Sequence, residues 1–492
     1  QSRIARDATW RSLGSKFLAR SDRAFIESAI ATATLLIIFF DLQYCLLQSK
    51  MTALVENHVD KKQKVEETHH EVDEEVKQLL QLRKVPSSSG LGNLAQLTKL
   101  DLPKCGLSSL PDALPQALPN LSILFLSGNE FTEVPKVIGD CPKLQMVAFK
   151  GNQLKSIHPE ALQSQMRWLI LTDNQLETIP DTIGRCTILQ KCMLSGNKLK
   201  KLPDAISNCK QLELIRLSSN LLEEPPMTLL QLPNLCWVAC SGNPFIQNSK
   251  QNVEARGLAL PVLRDIAEGT GEVLGEGAGG ITRKVHWDKF NQPVAVKTYC
   301  GAMTSDGSPE EERKMSLTVF TKIKSNYLIH LHGETPVGAL VMEYLDNYNA
   351  LAGPPSLESC SRDVYTCAKD YMTEEQAFLM VSGLLDVLEK LHQNGICHGD
   401  FYAHNILVSE NDPSKVKLSD FGAAFFYDAD ADYGKLLQQT ELRAFGVLVR
   451  EVQELFAGEK ASLLEDLADS CWGDSATFAE VHATWKKMLG CD

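Results

Sequence analysis

Leu169-Ile170-Leu171-Thr172-Asp173-Asn174-Gln175-Leu176-Glu177-Thr178-Ile179-Pro180 is a short apolar strand, an Asn at a turn, and an apolar residue two places on. The Asn position returns at Asn129, Asn152, Asn197, Asn220 and Asn243, at intervals of 22 or 23 residues, and Cys105 fills it in the first copy. A fixed period of this length marks stacked units, none of which can bury its apolar face alone. Inward residues such as Leu124 and Leu126, or Leu169 and Leu171, are expected to share one core. The Asn side chains should satisfy backbone groups at each turn and stack as a ladder. Strand alternation sends the flanking positions to the other, concave face. These are Ile123, Phe125, Met146, Trp168, Ile170, Met193, Leu214 and Trp237, and a large exposed apolar patch of this kind marks an interaction surface. It has two candidate occupants: a segment of a protein partner, or the chain itself, through its N-terminal helix or its C-terminal domain.

Leu110-Pro111, Ile179-Pro180 and Leu202-Pro203 in the outer turns, with Asn243-Pro244-Phe245 closing the array, resemble the intracellular leucine-rich repeat proteins. The resemblance implies an α/β leucine-rich repeat solenoid over residues 91–250. Upstream, residues 51–90 are dense in Glu, Asp and Lys, with Val65, Val72, Val76 and Leu79 at helical spacing. They read as an exposed helix or short coiled coil that ends in the linker Pro86-Ser87-Ser88-Ser89-Gly90. Residues 1–50 are a basic and apolar segment whose apolar run, Ala29 to Phe40, falls short of the roughly twenty residues that span a bilayer. Extending the run to Leu47 would bury Asp41. A membrane anchor or a targeting segment is the lesser reading here, a soluble chain the preferred one, and Met51 a candidate start.

A length of 492 residues allows two or three domains. The net charge of −13 excludes a nucleic-acid footprint, which needs clustered Lys and Arg. The 14 cysteines show no paired Cys-x-x-Cys metal spacing, and Cys141, Cys186 and Cys209 recur with the repeat as small apolar residues. A reducing, cytoplasmic setting follows as the expectation.

The chemistry lies beyond residue 270. Leu274-Gly275-Glu276-Gly277-Ala278-Gly279-Gly280 is a loop whose backbone can close over phosphates, and Val294-Ala295-Val296-Lys297 alternates like a strand ending in a cation. Next come the apolar strand Leu340-Val341-Met342 leading to Glu343-Tyr344-Leu345, then His398-Gly399-Asp400 with Asn405 five residues on, then Asp420-Phe421-Gly422. In this order the motifs resemble the protein kinases over residues 271–492. The wording of Gly353-Pro354-Pro355-Ser356-Leu357-Glu358 and of His398-Gly399-Asp400-Phe401-Tyr402-Ala403-His404-Asn405 further resembles a subgroup of plant and bacterial proteins that likewise join leucine-rich repeats to a kinase domain.

The resemblance implies an α+β bilobal protein kinase-like domain that binds ATP and Mg²⁺ and phosphorylates Ser or Thr, or else Tyr. Gly275, Gly277 and Gly280 would cover the phosphates and Lys297 would hold them. Ala295 and Leu407 would sandwich the adenine, with the backbone of Glu343 and Leu345 at its edge. Asp400 would accept the substrate proton, while Asn405 and Asp420 would carry Mg²⁺.

Four departures keep two rivals open, a nucleotide-binding pseudokinase scaffold and a pure repeat adaptor. Gly399 stands where most kinases have Arg. Tyr402 stands where serine/threonine kinases have Lys, a donor whose loss can cost roughly 10²–10³ in rate. Only twenty residues separate Asp420 from Glu441, with no Ala-Pro-Glu between them, and Glu441 replaces the usual Asp. Trp472–Phe478 also lacks Arg-Pro. Finally, the acidic partner of Lys297 is not fixed by spacing; Glu312, in a helix opened by Ser308-Pro309 with Glu311, is the candidate.

Overall fold

The computed structural model describes residues 94–247, 260–365 and 372–490, except 268, 278, 302, 457, 474 and 475, together with Val76, Gln78 and Leu79. The segment 1–50 and the rest of 51–90 lie outside it. Val76 and Leu79 are helical and buried in the core of the repeats, so at these positions the acid-rich stretch faces a core rather than solvent.

The repeats form one parallel sheet of seven strands in chain order. These are β1 (Lys99–Asp101), β2 (Ile123–Phe125), β3 (Met146–Ala148), β4 (Trp168–Ile170), β5 (Lys191–Met193), β6 (Leu214–Arg216) and β7 (Trp237–Ala239). The central residue of each strand points into the core: Leu100, Leu124, Val147, Leu169, Cys192, Ile215 and Val238 are all buried. The residue before each ladder position turns left-handed, as Gly at 128, 151, 196 and 242 and as Asp173 and Ser219 elsewhere. That turn brings the Asn amide back over two strand ends. Asn129, for example, donates to the carbonyls of Leu102 (2.8 Å) and Leu126 (2.9 Å) and accepts from Cys105 N (2.8 Å). Each such side chain thus ties its own unit to the preceding one.

The C-terminal domain opens with an antiparallel sheet of β8 (Glu272–Gly277), β9 (Gly280–Trp287), β10 (Gln292–Tyr299), β11 (Leu331–Glu334) and β12 (Leu340–Glu343), ordered β8-β9-β10-β12-β11. Helix α1 (Pro309–Lys322) leaves its Ser308 cap and packs on this sheet. Beyond the hinge segment Glu343-Tyr344-Leu345 lie β13 (Tyr348–Ala350), α2 (Glu374–Gln393), β14 (Ile406–Ser409), β15 (Val416–Leu418), α3 (Asp432–Gln453), α4 (Glu459–Ser470) and α5 (Phe478–Met488).

The concave face of the sheet is where the two halves join. Leu214, Cys236 and Trp237 belong to the same buried cluster as Phe401, Tyr402 and Phe445, and Met193 packs against it. The candidate partner surface is therefore divided. Leu214, Trp237 and Met193 are taken by the chain's own C-terminal domain and Met146 is buried, while Ile123, Phe125, Trp168 and Ile170 remain half-buried. Of the two occupants weighed for this face, the chain itself fills its C-terminal half. Trp237 is 1% exposed there, and its indole N–H, which burial removes from water, is donated to Phe401 O at 2.9 Å.

Candidate active site

Four glycines of the β8–β9 turn, Gly275, Gly277, Gly279 and Gly280, line one pocket of about 300 Å³ together with Lys297, Glu312 and Asp420. At Gly275 and Gly277 a Cβ would project into open space, whereas at Gly280 it would run into Thr298 O. The first two leave room for a ligand, and the third lets the backbone close on β10. Lys297 is the last residue of β10 to pair with β12 and forms an ion pair with Glu312 of α1, which settles the acidic partner. Burial works against the Lys297 ammonium, yet Tyr299, Glu312 and Asp420 outweigh it and hold its pKa above the usual range. Asp420 adopts a left-handed backbone (φ 56°) and accepts the Gly422 N–H at 3.0 Å. Phe421 packs edge-on against Phe320 of α1, 5.4 Å between centroids, which fixes the neighbouring carboxylate on the Lys297 side.

Asp400 and Asn405 meet one step away. The Asn405 amide donates to Asp400 O (2.8 Å) and Oδ2 (2.9 Å), so its carbonyl oxygen is the group left for a cation. Ser419 N donates to Asn405 O at 2.9 Å, which couples this loop to the strand that delivers Asp420. The glycine cradle, the Lys297 cation and the oxygen donors of Asn405 and Asp420 suit a magnesium triphosphate. Ala295 and Leu407 lie on β10 and β14, on either side of the hinge that carries Leu345. At Glu343 the carboxylate is bound by Lys417 (2.7 Å) and the backbone N–H by His330 O (2.9 Å), so a role at an adenine edge falls to its carbonyl.

Glu441 replaces the usual Asp without loss of function as a brace. Its carboxylate, 1% exposed, accepts from His398 N (3.0 Å), Gly399 N (2.6 Å), Cys397 Sγ (3.4 Å) and His392 Nε2 (2.7 Å). Burial alone would raise its pKa; the bond to His392 and the backbone donors reverse that and lower it. Four donors on one carboxylate clamp the loop that carries Asp400.

The departures at Gly399 and Tyr402 have a common cause in the repeats. Gly399 has φ 73°, and a Cβ there would run into the Val238 carbonyl of β7 while lying 2.8 Å from Ala423 O. Any side chain at this position would push the sheet away. Tyr402 stacks on Trp237, 4.2 Å between centroids and 8° between planes. His404 donates to Asp363 at 2.7 Å; burial opposes its charge but Asp363 wins, and its pKa is raised.

Arg216, the last residue of β6, was missed in the sequence. Its Nη1 donates to Gly399 O at 2.8 Å, its Nη2 pairs with Asp400 Oδ1, and its Nε lies 2.9 Å from Asp306 Oδ1. Burial would raise the Asp400 pKa, but Arg216, His404 and His398 lower it, so the carboxylate is held ionised. The available signal was alternation: Arg216 occupies the same face as Leu214, and Lys191 the same face as Met193, but only the apolar members had been singled out. Lys191 is accordingly buried, its pKa lowered by desolvation to about 8, with its ammonium 4.6 Å from the Trp168 ring.

Known proteins bear out both halves. A family model for the protein kinase domain matches residues 269–450, and one for the leucine rich repeat matches 95–154 and 164–222. The chain is 26% identical over 206 residues to calcium-dependent protein kinase 27 of Arabidopsis thaliana, covering 40% of each chain. It is 29% identical over 166 residues to mitogen-activated protein kinase kinase 7 of the same plant, covering 33% of this chain and 48% of that one. With inhibitor of nuclear factor kappa-B kinase subunit epsilon of Mus musculus it shares 28% over 203 residues, 37% of this chain and 27% of the other. It thus spans less than half the length of each of these relatives. With the pocket, the Lys297–Glu312 pair and the braced loop in place, the chain is a leucine-rich repeat protein that carries a protein kinase domain.

Proposed function

We propose that the chain transfers the γ-phosphate of ATP to a protein hydroxyl, with Ser or Thr preferred as in its relatives' class. The observation that carries this is the convergence of Lys297, paired with Glu312, and Asp420 on one glycine-roofed pocket beside a loop clamped by Glu441. Lys297 would hold the α- and β-phosphates, and the glycine turn would close over them and exclude water. Asp400, kept ionised, would take the proton of the attacking hydroxyl. Asn405 and Asp420 are the residues that would hold magnesium, which when bound offsets the charge of the triphosphate. Adenine would lie between Ala295 and Leu407 at the hinge.

A second reading, a nucleotide-binding scaffold, is favoured by one contact, the Arg216 guanidinium on Asp400. Phosphate transfer from Mg-ATP by the wild type, abolished in Asp400→Asn, supports the enzyme. Binding of ATP with no transfer by either protein supports the scaffold. Capture of a protein partner would use the half-buried end of the sheet, Ile123, Phe125, Trp168 and Ile170. Among the described residues no helix is long and apolar enough to cross a membrane.

A further inference from the structure

The catalytic loop lacks the cation that would sit two residues after Asp400, because Tyr402 stands there and is used to stack on Trp237. A guanidinium nevertheless reaches Asp400 from another part of the chain. Arg216 is 3% exposed along its side chain and touches Asp400, the carbonyl of Gly399 and Asp306. Asp306 in turn lines the nucleotide pocket with Lys297 and Asp420, so this cation lies between the base and the phosphate site. A second repeat residue, Lys150, lines the same pocket. We propose that the repeats complete the catalytic centre: Arg216 is the positioning cation that the loop itself lacks, and Lys150 is a phosphate contact at the mouth of the pocket.

This rests on the phosphotransfer reading and deepens it. Three features distinguish it from simple blockage of the site. The pocket stays open with the repeats docked, at about 300 Å³. The Asp400 side chain keeps 16% of its surface exposed despite the Arg216 contact. The loss of Lys at position 402 and the gain of a cation from β6 are complementary, and a fork-shaped guanidinium can hold a carboxylate and a carbonyl in one geometry. Arg216 faces Asp400, Asp306 and Tyr402 on the C-terminal side, with Lys191 the neighbouring cation on its own sheet.

The test uses the full chain with Mg-ATP, reading ADP release for turnover and the fluorescent analogue mant-ATP for affinity. Arg216→Met should lower kcat about 10²–10³-fold with the KM for ATP little changed. Arg216→Lys should recover part of the rate. Lys150→Ala should weaken mant-ATP about tenfold and leave adenosine binding unchanged. A wild type that turns over, and an Arg216→Met protein equally fast or faster, would overturn the role of Arg216 and leave the kinase reading standing. An inert wild type that binds Mg-ATP overturns the kinase reading itself. If Arg216→Met does not fold, Arg216→Lys decides: slower turnover with an unchanged KM for ATP supports the proposal, and turnover as fast as the wild type or faster overturns it. Unaltered mant-ATP affinity in Lys150→Ala removes Lys150 from the site.

Discussion

Adding one methyl group at Gly399 separates backbone strain from domain docking. Gly399 has φ 73°, and Gly106, in the first repeat, has φ 70°. An L-residue held left-handed costs roughly 1–2 kcal/mol, and that cost applies at both positions. The surroundings differ. A Cβ at Gly106 meets nothing within 4 Å, whereas at Gly399 it collides with Val238 O and approaches Ala423 O at 2.8 Å. Both neighbours are backbone and cannot swing aside, so the sheet or the loop must shift, at a typical overpacking cost of about 1–3 kcal/mol. Gly106→Ala should therefore lose about 1–2 kcal/mol and Gly399→Ala about 2–5 kcal/mol. Urea unfolding followed by tryptophan emission measures both, because Trp237 leaves its stack on Tyr402 when the interface opens. Equal losses in the two variants, within about 0.5 kcal/mol, would refute the claim that glycine is required here by the approach of the repeats.

Three further outcomes follow from the same geometry. Lys297→Met should abolish transfer and also destabilise the fold by about 3–5 kcal/mol, because Glu312 is left buried and unpaired; adding Glu312→Leu should restore thermal stability but not activity. Glu441 has a folded pKa below its unfolded value of about 4.3, so its contribution is present above that pH and is lost as pH falls through the depressed value. Glu441→Gln should accordingly flatten the acid arm of a stability–pH curve, and an unchanged arm counts against the clamp. Asn220→Ala removes donors to Leu194 O and Leu217 O and the acceptor of Leu199 N, and should cost about 1–3 kcal/mol in the repeats with little effect on mant-ATP affinity.

Residues whose roles are local were readable from the chain. The repeat period exposed the inward Leu positions and the Asn ladder because each unit solves the same packing problem in the same way. The glycine turn, Lys297 and Asp420, which line one pocket, were legible as a set because a phosphate site of the kind proposed would constrain residue type as well as spacing, and Asp400 and Asn405 because five residues place them on one loop. Glu312 was readable only as one of several acids in the first turn of α1, and its ion pair with Lys297 singles it out. Alternation places Arg216 on the concave face, but its role was not readable: its partner Asp400 lies 184 residues away, and nothing near Leu214 signals a carboxylate opposite. Gly399 and Tyr402 looked like losses because their neighbours Val238 and Trp237 belong to another domain. Departures from a family pattern that arise from long-range fit cannot be told from decay in one dimension.

The stack of Tyr402 on Trp237 also bears on where this polypeptide can be cut. A fragment beginning near residue 260 would retain every motif of the kinase domain. It would present a bare phenol ring to water, leave two carboxylates without their counter-ion, and free a glycine that had been seated against a foreign strand. Such a piece should precipitate or bind nothing, and its failure would report on the cut rather than on the intact chain.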